Sequence, residues 1–324
     1  MQKRNVLNSA RLLELKKNRK KNFLNKILFS FLGILVVFIL LAFLSRLSSL
    51  NIQNIEVTGN QIVDTNAIKQ EIEQEMSGKY FWLFPKTNIF LYPQNMIVKD
   101  LQNKFKRLEN ISLSIKNDKT LAVSVSERKA LYTWCGNTPP SVSNVGIQQD
   151  ESLTSVNTCY FVDENGYIFD QAPYFSGEVY FKLYGAPDVG RQDASTRPTS
   201  GGLSTDGNDS DPSGSYFSEQ YFKQLIVFKN ILVGFGLKSI SLYVTPDQDA
   251  EVFLANQAPS TNEPEIIFKL NGDYDNIAEN LEAALTTEPL QTQFKNKYST
   301  LQYIDLRFGN KVYYKFTTSP AVTQ

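Results

Sequence analysis

Histidine is absent from the chain, which removes Ser-His-Asp and Cys-His catalysis together with every histidine-ligated metal site. No Gly-x-Ser-x-Gly segment is present to supply an exposed nucleophile. Beyond residue 26 no Lys/Arg patch of the kind that neutralises phosphates occurs, which argues against nucleic acid as a partner. One more absence organises everything else. From Ile27 to Leu44 (ILFSFLGILVVFILLAFL) no residue carries a charge, and Ser30 is the one polar side chain.

At about 1.5 Å of rise per residue, that run covers most of a hydrocarbon core, which roughly 17 to 25 apolar residues cross. Phe23, Leu24 and Leu47 can extend it, so residues 27–47 are predicted to form a single transmembrane helix. The flanks orient it. Residues 1–26 hold nine of the 33 basic residues but only one of the 33 acidic ones, Glu14. By the positive-inside rule this basic tail stays in the cytoplasm. The remaining 24 basic and 32 acidic residues give the other end a net negative charge that the neutral total conceals. A cleaved signal peptide is the alternative. Against it, the run exceeds the roughly 7 to 15 residues of a signal core, and SRLSSLNIQ contains no small-x-small cleavage site. The expectation is an uncleaved anchor carrying about 275 extracytoplasmic residues.

Cys135 and Cys159 fall on the exported side, where thiols can remain oxidised. A disulfide between them would restrict the unfolded chain by about 3 kcal/mol on the entropic model. Two buried free thiols are the alternative.

Residues 51–128 read as strand, helix, helix, strand, strand. Ile55 and Val57 alternate up to a turn at Gly59-Asn60, and Asp64 caps a helix with Ile68, Ile72 and Met76 on one face. An aromatic stretch, Tyr80, Phe81, Trp82 and Phe84, leads to Pro85. A second helix starts near Pro93 and shows Ile97, Leu101 and Phe105 on one side. Ile111, Leu113 and Ile115 alternate, then Asn117-Asp118-Lys119 turn the chain into Leu121, Val123 and Val125. One sheet covered by two helices would bury these faces together.

Residues 129–316 read as a mostly antiparallel sheet with a few helices, making the whole chain α+β. Asn165-Gly166 in YFVDENGYIFD is a strong hairpin signal. The Asp163, Asn165 and Asp170 spacing does not match a calcium-binding loop. Residues 185–215 are rich in Gly, Ser, Asp and Pro and are expected to form a flexible insertion, whose Asp206, Asp209 and Asp211 are read as solvated acids. Tyr221, Leu225, Phe228 and Leu232 then mark a helix, followed by strands around Leu242, Val252 and Phe268 and a helix with Ile277, Leu281 and Leu285. The last pair of strands, LQYIDLRFGNKVYYKF, puts Ile304, Leu306 and Phe308 on one side and Tyr303, Asp305 and Arg307 on the other, with Asp305 and Arg307 as a surface ion pair worth under about 1 kcal/mol. Residues 317–324 read as a disordered tail.

The segments IQNIEVTGN, KTNIFL and LAVSVSERKA resemble the POTRA domain that follows the membrane anchor in FtsQ/DivIB bacterial cell-division proteins, with Glu127-Arg128 in the fitting place. One departure is Asp118-Lys119 where the family has a Pro in the hairpin turn. FVDENGYIFD and the final YIDLRFGNKVYY segment resemble the β-domain of the same family, so the resemblance spans residues 23–316. It implies a non-enzymatic, cofactor-free scaffold in the cell membrane at the division septum, with no small-molecule substrate. It also implies that the β-domain binds FtsB and FtsL, small single-span coiled-coil proteins, and through them influences the septal synthase FtsW and its partner FtsI.

A terminal strand pair at a sheet edge offers unpaired N–H and C=O groups to an incoming strand. Arg307, Phe308, Val312, Tyr313, Tyr314 and Lys315 are therefore the expected partner-binding edge, the alternative being ordinary core residues. Two rival classes remain. A membrane-anchored cell-wall enzyme would have to draw on Asp163, Glu164 or Asp305. A POTRA-bearing translocation component would need a β-barrel of longer strands.

Overall fold

A computed structural model describes residues 10–117, 119–140, 158–188, 211–256 and 263–317. The chain divides into two compact units, residues 1–127 and 128–324.

In the first unit, helix α1 runs over Ala10–Leu44. It begins well inside the basic tail, because Lys, Arg and Leu are good helix formers. It ends at Leu44, short of the residue 47 expected from hydropathy, and a turn at Ser45-Arg46 follows. Among the described residues it is the one helix long and apolar enough to cross a membrane.

The rest of this unit is a three-stranded sheet in the order β1 (Asn54–Thr58), β5 (Thr120–Glu127), β4 (Leu108–Lys116). β1 lies parallel to β5, and β4 is antiparallel to it. Helices α2 (Thr65–Glu75) and α3 (Gln94–Lys104) supply Ile68, Ile72, Ile97 and Leu101, which are buried with Leu121, Val123 and Val125 of β5. α2 begins where the Asp64 carboxylate accepts the Ala67 N–H at 3.0 Å, satisfying one of the donors that a helix start leaves open. Gly59 adopts φ +93°, and a Cβ there would lie 2.0 Å from the Val125 carbonyl oxygen, so only glycine lets β1 end against β5. The Glu127 carboxylate accepts the N–H groups of Gln61, Ile62 and Val63. Burial works against ionisation of Glu127, but these three donors and Arg107 outweigh it and hold its pKa below the usual range. Between the helices a small hairpin pairs β2 (Lys79–Tyr80) with β3 (Phe84–Pro85). Asp118, where the sequence predicts a turn, lies outside the described residues.

The second unit is built on one nine-stranded sheet, in the order β14-β13-β12-β11-β10-β9-β6-β7-β8. In chain order the strands are β6 (Tyr132–Trp134), β7 (Tyr160–Val162), β8 (Ile168–Gln171), β9 (Phe181–Tyr184), β10 (Ser239–Val244), β11 (Asp249–Leu254), β12 (Glu265–Lys269), β13 (Leu301–Phe308) and β14 (Lys311–Phe316). Five of the eight neighbouring pairs are antiparallel and three are parallel, so the sheet is mostly antiparallel. Helices α4 (Phe222–Gly234) and α5 (Tyr274–Thr286) bury Phe222, Leu225, Phe228, Leu232 and Leu281 with Leu242, Val252, Ile266, Phe268 and Ile304 of the sheet. A short helix α6 (Leu290–Lys297) precedes β13.

Cys135 and Cys159 are joined by a disulfide. Asp163 is buried. Its carboxylate pairs with Arg128 and accepts the N–H groups of Asn165 and Tyr167, so it shapes the Asn165-Gly166 turn and is spent on the chain's own backbone. Residues 185–188 and 211–215, read from composition as parts of the insertion, belong to the fold. The Gly185 carbonyl accepts the Trp134 indole N–H at 2.8 Å, and Asp188 bridges Tyr216. Asp211 accepts the Ser213 N–H and hydroxyl. Asp206 and Asp209 lie outside the described residues.

Candidate functional site

The expected site falls on the outermost strand pair of the large sheet. β14 pairs with β13 on one side, and among the described residues no strand pairs with its other side. In an antiparallel pair alternate residues turn their N–H and C=O groups outward, so β14 offers a row of such groups along six residues. The α5 residue Asn280 donates to the Gly309 carbonyl and holds the β13–β14 turn, where Gly309 takes φ +63°.

Two features of this pair differ from the alternation in the sequence. The first is the side on which Phe308 lies. Ile304 faces Tyr314 and Asp305 faces Tyr313, but Phe308 faces Lys311, one residue out of step. Two residues of β13, Leu306 and Arg307, oppose Val312 alone, which is a bulge. The extra residue turns Phe308 away from Ile304 and Leu306, and it is 55% exposed. Its ring meets that of Tyr313, 49% exposed, edge to face at 5.2 Å. Lys311 and Lys315 are exposed on the same strand. Val312 and Tyr314 turn inward and pack on the core, so a partner reaches them mainly through their backbone.

The second is the Asp305–Arg307 pair, which is not a surface ion pair. Asp305 is 6% exposed, and Arg307 donates to its two oxygens from Nε at 2.9 Å and Nη2 at 2.6 Å. Arg307 Nη1 reaches over β12 to Asp249 of β11 at 2.8 Å, and Lys269 completes the cluster at 2.6 Å from the other Asp249 oxygen. The hydrogen bonds that Arg307 donates to Asp305 and then to Asp249 push it further toward its charged form. Burial disfavours the Asp249 charge, yet Lys269 and Arg307 prevail and lower its pKa. Arg307 is thus engaged within its own sheet and acts as a brace for β13.

Next to this cluster, on the face away from the helices, Glu265 lies opposite Tyr303 and Phe253. Burial, with Glu251 adding to it, pushes Glu265 up to about 7. It lines a groove of about 670 Å³ with Lys182, Tyr184, Glu263 and Tyr303. Asp249, Lys269 and Glu265 carry no local sequence signal, because the partners that define them are on strands as much as 58 residues away.

The structure therefore brings Phe308, Tyr313 and Lys315 together on an open edge, assigns Arg307 to support, and places Val312 and Tyr314 in the packing. Of the carboxylates an enzyme would draw on, Asp163 and Asp305 are each paired with an arginine and Glu164 is exposed. Compared with models of known protein families and with curated proteins, the chain matches none.

Proposed function

We propose that the chain is a non-enzymatic scaffold of the bacterial division machinery, of the FtsQ/DivIB kind, anchored in the cell membrane by α1 with its basic tail in the cytoplasm. In this reading residues 51–128 are a POTRA domain and residues 129–316 the partner-binding β-domain. β14 accepts a strand from a small single-span coiled-coil protein like FtsB, held with FtsL, and so acts on a septal synthase like FtsW and FtsI. The observation that carries the reading is the open six-residue edge of β14 beside the exposed Phe308–Tyr313 pair. Backbone groups of an edge strand supply affinity in strand addition, and an exposed aromatic pair supplies an anchor for the partner's side chains. The charge imbalance across the apolar run supports the orientation.

The test is capture of small single-span proteins by the tagged full chain from dividing cells. Phe308→Glu should reduce capture about tenfold or more, the scale of losing an interface aromatic. Because Phe308 is exposed, the variant should unfold within about 0.5 kcal/mol of the parent. Undiminished capture by a folded Phe308→Glu protein would refute the edge assignment.

A further inference from the structure

The aromatic stretch at residues 80–84 has no part in the proposed partner edge, and its conformation has no explanation in folding. The β2–β3 hairpin turns through Phe81 and Trp82, with the Leu83 N–H donating to the Tyr80 carbonyl at 3.0 Å. Both tip residues take left-handed backbone angles, φ +48° and +61°. Such positions favour Asn-Gly or Gly, and bulky side chains there cost backbone energy. The turns at Asn165-Gly166 and Gly309-Asn310 obey that preference. Here the chain places two of the largest side chains at the tip and buries neither. Phe81 is 84% exposed and Trp82 88%.

The tip's surroundings say what receives these rings. Phe84 of β3 packs edge to face on Phe38 of α1, with ring centroids 5.3 Å apart. Phe38 precedes the helix end at Leu44 by six residues, or about 9 Å. The Leu83 carbonyl accepts a hydrogen bond from Arg46, and buried Asn88 donates to the Ser45 carbonyl while accepting the Phe90 N–H. Phe90, 78% exposed, is thereby held near the same helix end. Three exposed aromatics thus border the last two turns of the one helix, among the described residues, apolar enough to cross a membrane. An indole at that depth belongs to the interfacial layer, where its apolar body and its N–H are both satisfied, and the two phenyl rings beside it add apolar surface.

We infer that the Phe81–Trp82 tip, with Phe90, dips into the interface of the bilayer that α1 crosses, fastening the membrane-proximal unit to the lipid surface. This rests on the membrane-spanning reading of α1. The geometry favours lipid over a protein partner, because β2 and β3 have only two residues each and offer no edge for a strand.

The test uses the full chain in bilayer discs made with brominated or ordinary phospholipids, read by tryptophan fluorescence. The chain has two tryptophans, and Trp134 is buried in the other unit, so the difference between the parent and Trp82→Phe isolates Trp82. That component should fall about twofold in brominated bilayers, as for rings at the headgroup level, and resist aqueous iodide. A second protein, Trp82→Phe with Phe38→Trp, reports on α1 by its difference from Trp82→Phe. If the indole introduced at position 38 is quenched by brominated lipid while Trp82 is open to iodide, α1 spans the membrane and the dipping tip is refuted. If Trp82 is shielded from both quenchers, protein covers it and the inference is equally overturned. If neither position is quenched by lipid, the membrane-spanning reading itself fails and the inference with it.

Discussion

Two pairs of exposed aromatics sit on hairpins, one in each unit, and they are built in opposite ways. Phe81 and Trp82 crown a turn between strands of two residues, on a backbone whose positive φ values suit glycine. Phe308 and Tyr313 flank a turn that does use glycine, Phe308 at the end of β13 and Tyr313 on β14, a strand of six residues with one side open among the described residues. The first pair offers rings and almost no free backbone. The second offers rings beside a ladder of unpaired backbone groups. Lipid asks only for apolar surface, whereas a partner strand needs hydrogen-bond register as well. In the proposed reading, similar chemistry in the side chains is thus divided between two kinds of partner by the backbone beneath it.

Removing Arg307 should disturb the second hairpin and spare the first. Arg307→Ala leaves Asp249 and Asp305, each 6% exposed, without the guanidinium that joins β13 to β11. Loss of one partner from a buried ionic cluster costs about 3 kcal/mol. The expected result is a large fall in the denaturant midpoint of the second unit, together with weaker partner capture, while Trp82 quenching by brominated lipid stays as in the parent. An Arg307→Ala protein with unchanged stability would contradict the bracing role.

A smaller effect, confined to the same unit, comes from pH. The folded state raises the Glu265 pKa from 4.5 to about 7, so between those values it holds a proton that the unfolded chain releases. The contribution of Glu265 to stability is therefore complete below about pH 4.5 and is lost as pH rises through 7. Glu265→Gln should stabilise the second unit by about 1 kcal/mol at pH 8, a value discounted for residual solvent contact, and should change little at pH 4.5. Unfolding curves of parent and variant at the two pH values check this.

Much of this architecture is legible in the residues, and the boundary follows physical range. The uncharged run at residues 27–44, the Asp64 cap, the Asn165-Gly166 turn and the apolar faces of α2, α4 and α5 depend on neighbours within a turn or a strand. Periodicity reports such features directly. β6 and β9, of three and four residues, are too short to establish an alternation, and their parallel pairing is set by the sheet as a whole. Alternation puts Phe308 on the wrong side because it assumes one residue per partner, and the bulge after Asp305 breaks that count. Asp305 and Arg307 read as a solvated pair because nothing local reveals Asp249, 58 positions before Arg307. The composition of residues 185–215 hides two ordered ends, since Gly185 and Asp188 are fixed by backbone contacts that composition does not encode.

The β14 edge is proposed to receive a protein partner and the Phe81–Trp82 tip to receive lipid. A photoreactive amino acid placed at Tyr313 or at Trp82 of the full chain in dividing cells tests both halves together. The expected result is that position 313 yields an adduct with a small single-span coiled-coil protein, while position 82 yields adducts with phospholipid alone. No protein adduct from position 313, or the same protein captured from position 82, would contradict the account.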